Sequence, residues 1–259
     1  MGVRTRYEPG TFCWVGLATS DVAAAKGFYG SLFGWEAEDL PAGAAGAFTM
    51  LRHGAEDIAI LYRQQPEARA AGATPHWTSY ISVEDADATA ARAEELGGAA
   101  VFRAPFYVLN AGRVAAIRDP TAAIVSLWQP RLRIGATLVN DTGALCWNEL
   151  ATSDVERAKS FFGELLGWEY ETDDSGYVTV KNAGRLNGGM REQSEQERRA
   201  PPAWLAYFTV DSADESERQA VQLGGRGLLP TSDCPRGRYA VIADPQGAAF
   251  AVFEGETDP

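Results

Sequence analysis

Residues 12–35 read FCWVGLATSDVAAAKGFYGSLFGW, and residues 145–168 read LCWNELATSDVERAKSFFGELLGW. Cys13, Trp14, Leu17, Asp21, Lys26, Phe28, Gly34 and Trp35 each recur 133 positions later, as Cys146, Trp147, Leu150, Asp154, Lys159, Phe161, Gly167 and Trp168. Self-similarity over so long a stretch marks a tandem of two related units. Within each copy, an apolar run rich in strand formers (CWVGLAT in the first) predicts a strand. Ser20 then offers an N-cap. Val22, Ala25, Phe28 and Leu32 follow at near-helical spacing, and Gly34 stands where a C-cap glycine belongs. In the second copy, Ser153 followed by Glu156 has the form of a capping box.

A second matching pair lies downstream. HWTSYISVEDADATAARAEELGG (76–98) parallels AWLAYFTVDSADESERQAVQLGG (203–225), each a strand, a helix and a Gly-Gly stop. GRVAAIRDPTAAIVSLWQ (112–129) and GRYAVIADPQGAAFAVFE (237–254) follow, with turns at Asp119-Pro120 and Asp244-Pro245. FTML, DIAILY, YVTVKN and LNGGM supply further strand-like runs. The pattern predicts an α+β chain of four βαβββ units in two domains, 8–130 and 145–256, joined by a linker at 131–144. Each domain, at roughly 130 residues, is long enough to bury a core. REQSEQERRAPP (191–202) reads as a solvated loop.

Hydrophobic residues at 46% and charged residues at 22% place the chain among soluble globular proteins. It has no apolar run of the roughly 18 residues that a membrane span needs, and its opening MGVRTRYEPG has no apolar signal core, so a cytoplasmic location is expected. A net charge of −12 argues against nucleic acid and anionic membranes as partners. Three scattered cysteines make neither a disulfide framework nor a zinc site. Cys13 and Cys146 read as small buried residues. Cys234 has Arg236 and Arg238 nearby but no histidine partner.

The four units resemble the vicinal oxygen chelate superfamily, which includes glyoxalase I, bleomycin-resistance proteins and extradiol dioxygenases. The helix ends FYGSLFGW and FFGELLGW, the stops ELGG and QLGG, and the turns DPTA and DPQG carry the resemblance, which covers nearly the whole chain. It is most similar to the tandem glyoxalase-like proteins of actinobacteria. The resemblance implies that two units pair into a curved sheet whose concave face holds a ligand or metal. It does not fix the chemistry.

The resemblance also implies metal ligands of His, Gln or Glu type on the first and last strands of the units. Those positions fall on Trp14, Trp147, Ser126, Ala251, Thr78 and Leu205, and near Ile60 or Leu61 and Gly189 or Met190. None suits a divalent cation. A register slip by one residue would turn Cys13, Val15 or Asn148 inward and still yields no three-ligand set. His53 and His76, the two histidines, read as structural or surface residues. Neither a metal nor another cofactor is expected.

Strand alternation turns Trp14, Gly16 and Ala18 inward in the first domain, with Thr78, Tyr80, Ser82, Ser126 and Trp128. In the second domain it turns in Trp147, Glu149 and Ala151, with Leu205, Tyr207, Thr209, Ala251 and Phe253. Arg113 and Arg238 begin matching strands at the rim and are candidate anchors for a ligand anion. Such faces suit an apolar or aromatic small molecule. The competing reading is core filling, which fits Phe28, Trp35, Phe161 and Trp168. A lone carboxylate on an aromatic face, Glu149 at the position that Gly16 holds in the first domain, is suited to proton transfer, with Tyr207 and Arg238 orienting the substrate.

The expectation is a metal-independent enzyme performing an isomerisation, elimination or cyclisation on an apolar or aromatic metabolite. A binding protein that sequesters a drug or toxic metabolite is the alternative, and a metal-dependent glyoxalase or dioxygenase the third. The tandem supplies domain pairing within one chain, so a monomer or homodimer is expected.

Overall fold

The computed structural model describes residues 2–41, 47–70 and 72–257. The first half runs β1 (Phe12–Thr19), α1 (Val22–Phe33), β2 (Glu36–Pro41), β3 (Ala47–His53), β4 (Glu56–Arg63), α2 (Pro66–Ala70), β5 (His76–Ser82), α3 (Ala86–Glu95), β6 (Ala99–Ala100), β7 (Phe106–Val108), β8 (Gly112–Arg118) and β9 (Ile124–Pro130). The second runs β10 (Leu145–Thr152), α4 (Val155–Leu166), β11 (Glu169–Thr172), β12 (Val178–Asn182), β13 (Arg185–Glu192), β14 (Ala203–Thr209), α5 (Ala213–Gln222), β15 (Arg226–Cys234), β16 (Gly237–Ala243) and β17 (Ala249–Gly255). The strands form two mixed sheets. One has the order β2-β3-β4-β1-β5-β9-β8-β6, with β7 on β8, and the other β11-β12-β13-β10-β14-β17-β16-β15. In each sheet the first strands of two units pair antiparallel, β1 with β5 and β10 with β14. This is the α+β arrangement of four units. Among the described residues no helix is long and apolar enough to cross a membrane.

Two local expectations are corrected, and three strands the sequence reading did not name are present. The N-caps of α1 and α4 are Asp21 and Asp154 rather than the serines before them. Asp21 Oδ1 accepts from the amides of Ala23 and Ala24, because a carboxylate is the stronger acceptor at the positive end of a helix. The polar strands β2, β11 and β15 are edge or near-edge strands that carry no apolar alternation. The segment 191–202 is not simply a solvated loop: Arg191 and Glu192 end β13, and a 3-10 turn follows at Glu197–Arg199. The C-cap reading holds, with Gly34 at φ 71° and Gly167 at φ 73°.

The two halves do not keep separate cores. One core gathers Phe28, Tyr29, Trp35 and Trp77 of the first half with Phe208 and Phe250 of the second. The other gathers Phe161, Phe162, Trp168 and Trp204 of the second half with Phe12, Ile81 and Leu127 of the first. Trp35 Nε1 donates to Gly143 O, and Trp168 Nε1 donates to Gly10 O, both at 2.7 Å. The repeated tryptophan of the helix-end motif is thus a core residue: Trp168 fastens the second half to the first, and Trp35 fastens the first half to the end of the linker. The linker is also packed: Ala136 N donates to Cys13 O, Thr137 N to Asp57 O, and Arg133 pairs with Asp57.

Candidate functional site

Corresponding register pairs define the inward face of each sheet. Trp14 lies opposite Tyr80, and Gly16 opposite Thr78 and Ile60. Trp147 lies opposite Tyr207, and Glu149 opposite Leu205 and Gly189. Tyr80 pairs with Ser126 and Ser82 with Trp128, as Tyr207 pairs with Ala251 and Thr209 with Phe253. The structure therefore brings Trp14, Thr78, Tyr80, Ser126 and Trp128 onto one face and Trp147, Glu149, Leu205, Tyr207, Ala251 and Phe253 onto the other.

The first face is filled. Trp14, Tyr80 and Trp128 are 2%, 6% and 2% exposed. A Cβ at Gly16 would meet Ile60 at 3.0 Å and the Tyr80 ring at 3.1 Å, so no space stands above the glycine. The hydroxyls of Tyr62, Thr78, Tyr80 and Ser126 neighbour one another there, and burial raises the phenols of Tyr62 and Tyr80. The linker residues Ala136 and Leu138 belong to the same apolar cluster as Trp14 and Trp128.

The second face is more open. Trp147, Leu205, Tyr239 and Phe253 are half-buried. The sizes of one pair are exchanged: Gly16 and Ile60 in the first sheet become Glu149 and Gly189 in the second. Gly189 admits a residue the sequence reading missed. A Cβ there would stand 2.0 Å from the Tyr177 hydroxyl. That hydroxyl accepts from Trp147 Nε1 at 2.9 Å and has the Glu149 carboxylate as its charged neighbour. Burial first, and then the Glu149 charge, hold the Tyr177 phenol well above its ordinary pKa. The same two causes raise Tyr207 and Tyr239.

Glu149 is not the lone carboxylate expected. Arg191 Nε donates to its Oε1 at 2.8 Å, while the other two guanidinium nitrogens hold Glu197 at 2.8 and 2.7 Å. This clamp holds the Glu197 carboxyl at about 2 and the Arg191 guanidinium well above its ordinary range. A signal for Arg191 was present: it lies two residues beyond inward Gly189, on the same strand face. Its place in a polar run hid it. No local pattern points to Tyr177, which enters from the turn before β12.

Arg113 and Arg238 are corrected. Both alternate onto the helix side of their strands, where Arg113 binds Asp87 and Arg238 binds Asp214, each carboxylate in the first turn of a helix. They do not reach the concave faces. Cys234 ends β15 with its Sγ near Gly237 O at 3.3 Å. Burial raises the Cys146 thiol to about 12, and Cys13 also rises by burial. His53 is half-buried rather than exposed, with Nδ1 unpartnered, and His76 opens β5 beside Thr74 O.

The fold family implies a metal on such a face. The donors present do not fit one: the first face offers hydroxyls and indoles, and the second offers a single carboxylate already held by an arginine. Among the described residues no three His, Cys, Asp or Glu side chains cluster.

Two curved sheets built from four βαβββ units define the glyoxalase class of fold. The chain belongs to the glyoxalase/bleomycin resistance protein/dioxygenase superfamily: that family model matches residues 11–124, and a glyoxalase-like domain model matches residues 145–253. It is 39% identical over 260 residues to "Putative glyoxylase CFP32" of Mycobacterium tuberculosis, covering 98% of each chain. It is 33% identical over 264 residues to the anthracycline biosynthesis protein DnrV of Streptomyces peucetius, covering 96% of this chain and 95% of that one. Its fold is similar to that of the Mn(II)-bound glyoxalase from Novosphingobium aromaticivorans, with TM-score 0.63 and 14% identity over 96% of this chain and 84% of that one.

Proposed function

We propose that the chain is a metal-independent enzyme acting on an apolar or aromatic metabolite at the concave face of its second domain. The observation that carries this reading is Glu149: a carboxylate 8% exposed on an aromatic face, bonded to Arg191 and neighboured by the Tyr177 phenol. In the proposed chemistry Glu149 takes a proton from a substrate carbon and returns it at another, or loses it with a leaving group. Arg191 positions the carboxylate, and Tyr207 and Phe253 pack the substrate ring. The first domain, whose face is filled, supports the second through the shared cores. The likeness to a protein named for anthracycline biosynthesis supports polycyclic aromatic substrates. Shared cores within one chain support a monomer or homodimer.

A binder that sequesters such compounds is the second reading. It is favoured by the Arg191 clamp, which already occupies one oxygen of the Glu149 carboxylate.

The test is a screen of aromatic metabolites for tryptophan quenching and turnover, on protein treated with a chelator. Enzyme action predicts one ligand per chain, turnover that survives chelation, and loss of turnover with retained binding in Glu149→Gln. Binding without turnover by any ligand selects the second reading, and activity restored only by added metal defeats both.

A further inference from the structure

The side chain that closes the second face is itself a phenol. Tyr177 follows an exposed turn, Asp173–Gly176, which Asp173 Oδ1 holds by accepting from the amides of Ser175 and Tyr177. From there its ring passes over Gly189, the register partner of Glu149, and its hydroxyl accepts from Trp147 Nε1 with the Glu149 carboxylate as its neighbouring acceptor group. Donor and acceptor both come from the inward face of β10. An open groove of about 670 Å³ lies beside the ring, lined by Thr172, Ser175, Gly176, Tyr177 and Arg191 together with the start of α4.

The first domain is an internal control. Thr49 pairs with Leu61 as Val178 pairs with Met190, so Phe48 occupies the position of Tyr177. With no hydroxyl there, the equivalent indole, Trp14 Nε1, is buried and unpartnered. Gly16 also takes the place of the acceptor Glu149. The donor–acceptor pair belongs to the second domain alone.

We infer that Tyr177 keeps the place of a ligand's phenolic hydroxyl, and that the hairpin moves outward when a hydroxyaromatic ligand enters between Trp147 and Glu149. This rests on the reading that the second concave face is the ligand site. The chemistry selects a neutral hydroxyl. A ketone oxygen would face the Glu149 carboxylate with no proton between them, and a phenolate or carboxylate would be repelled by it. An ether loses the bond to Glu149 and leaves that carboxylate short of a donor.

The test compares naphthol with methoxynaphthalene on the full chain, as wild type, Tyr177→Ala and Tyr177→Phe. Calorimetry gives the affinities, and the indole N–H resonance of Trp147, assigned with Trp147→Phe, reports the site. The expected result is naphthol binding about 10-fold tighter than its methyl ether, with a shift of the Trp147 signal. Tyr177→Ala should bind naphthol roughly 10-fold tighter than wild type, because no side chain has to be displaced first. Tyr177→Phe, which keeps the ring but not its bonds, should change in the same direction and guards against a misfolded alanine variant. Equal affinity for naphthol and its ether overturns the hydroxyl recognition. Weaker naphthol binding in a folded Tyr177 variant makes Tyr177 a ligand contact and overturns the displacement. Failure of either compound to bind any of the three proteins instead defeats the concave-face reading and this inference with it.

Discussion

The Tyr29 hydroxyl donates to Asp244 Oδ2 at 3.0 Å and accepts from Trp77 Nε1 at 2.9 Å, joining α1 of the first half to the turn before β17 of the second. The repeat sets Phe162, Asp119 and Trp204 at the corresponding positions. There Asp119 Oδ2 and Trp204 Nε1 are both buried without a partner. One missing hydroxyl accounts for both orphans.

Phe162→Tyr is therefore expected to stabilise the protein by about 1 kcal/mol, and Tyr29→Phe to destabilise it by roughly 1–3 kcal/mol, since it strands two buried groups. Urea unfolding of the two variants measures both. No gain from Phe162→Tyr would mean that the pseudo-symmetry does not extend to these side chains.

The gain should depend on pH. Burial raises the Asp119 carboxyl above its ordinary value of 3.8. A group with a raised folded pKa contributes stability that is complete below the unfolded value and is lost as pH rises through the folded one. The hydroxyl introduced by Phe162→Tyr opposes that loss by donating to the ionised carboxylate. Phe162→Tyr should accordingly gain more near pH 7 than near pH 3. A gain that is flat across this window would count against the hydroxyl reaching Asp119.

Glu197 behaves with the opposite sign. Its hydrogen bonds to Arg191, the largest cause, lower its carboxyl from 4.5 to about 2. The stability it contributes is present above the unfolded value and is lost as pH falls through the folded one. The amide of Ser194 donates to Glu197 at 2.8 Å. Hydrogen exchange at Ser194 should accelerate, relative to the strand amides, only as pH falls from 4.5 towards 2. Loosening of the segment at neutral pH in wild type would show that the clamp does not hold it.

Gly189→Ala tests the crowding beneath Tyr177. A Cβ cannot stand 2.0 Å from the hydroxyl, so the ring must leave its bond to Trp147 and its place beside Glu149. The expected cost is about 1–3 kcal/mol, with a shifted Trp147 indole signal. An unchanged indole signal would falsify the placement of Tyr177.

Because each core draws on both halves, the chain should unfold in one cooperative transition by calorimetry. Trp168→Phe, which removes the bond to Gly10 O, should lower that single transition by about 1 kcal/mol without splitting it. Two resolved transitions would mean that the domains are independent.

Much of the fold was legible in short stretches of sequence. The repeat at residues 12–35 and 145–168, the alternation along CWVGLAT and the glycines at 34 and 167 carry it, because strand faces and helix ends are set by neighbouring residues. The polar edge strands escaped, since a strand with one solvated edge and two exposed faces needs no apolar pattern. The site was legible by face: alternation turned Trp147, Glu149 and Tyr207 inward together.

The sequence by itself determined the duplication, the order of elements and which side chains point inward. Only the tertiary structure decided what those side chains meet. Glu149 and Arg191 are 42 residues apart and join through the parallel register of β10 and β13. Tyr177 reaches both Trp147 and Glu149 because a turn returns it over a glycine on another strand. Tyr29 finds Asp244 across 215 residues. Local rules govern direction along a strand or helix. Register, turn placement and the packing of one half against the other govern contact, and these belong to the folded chain as a whole.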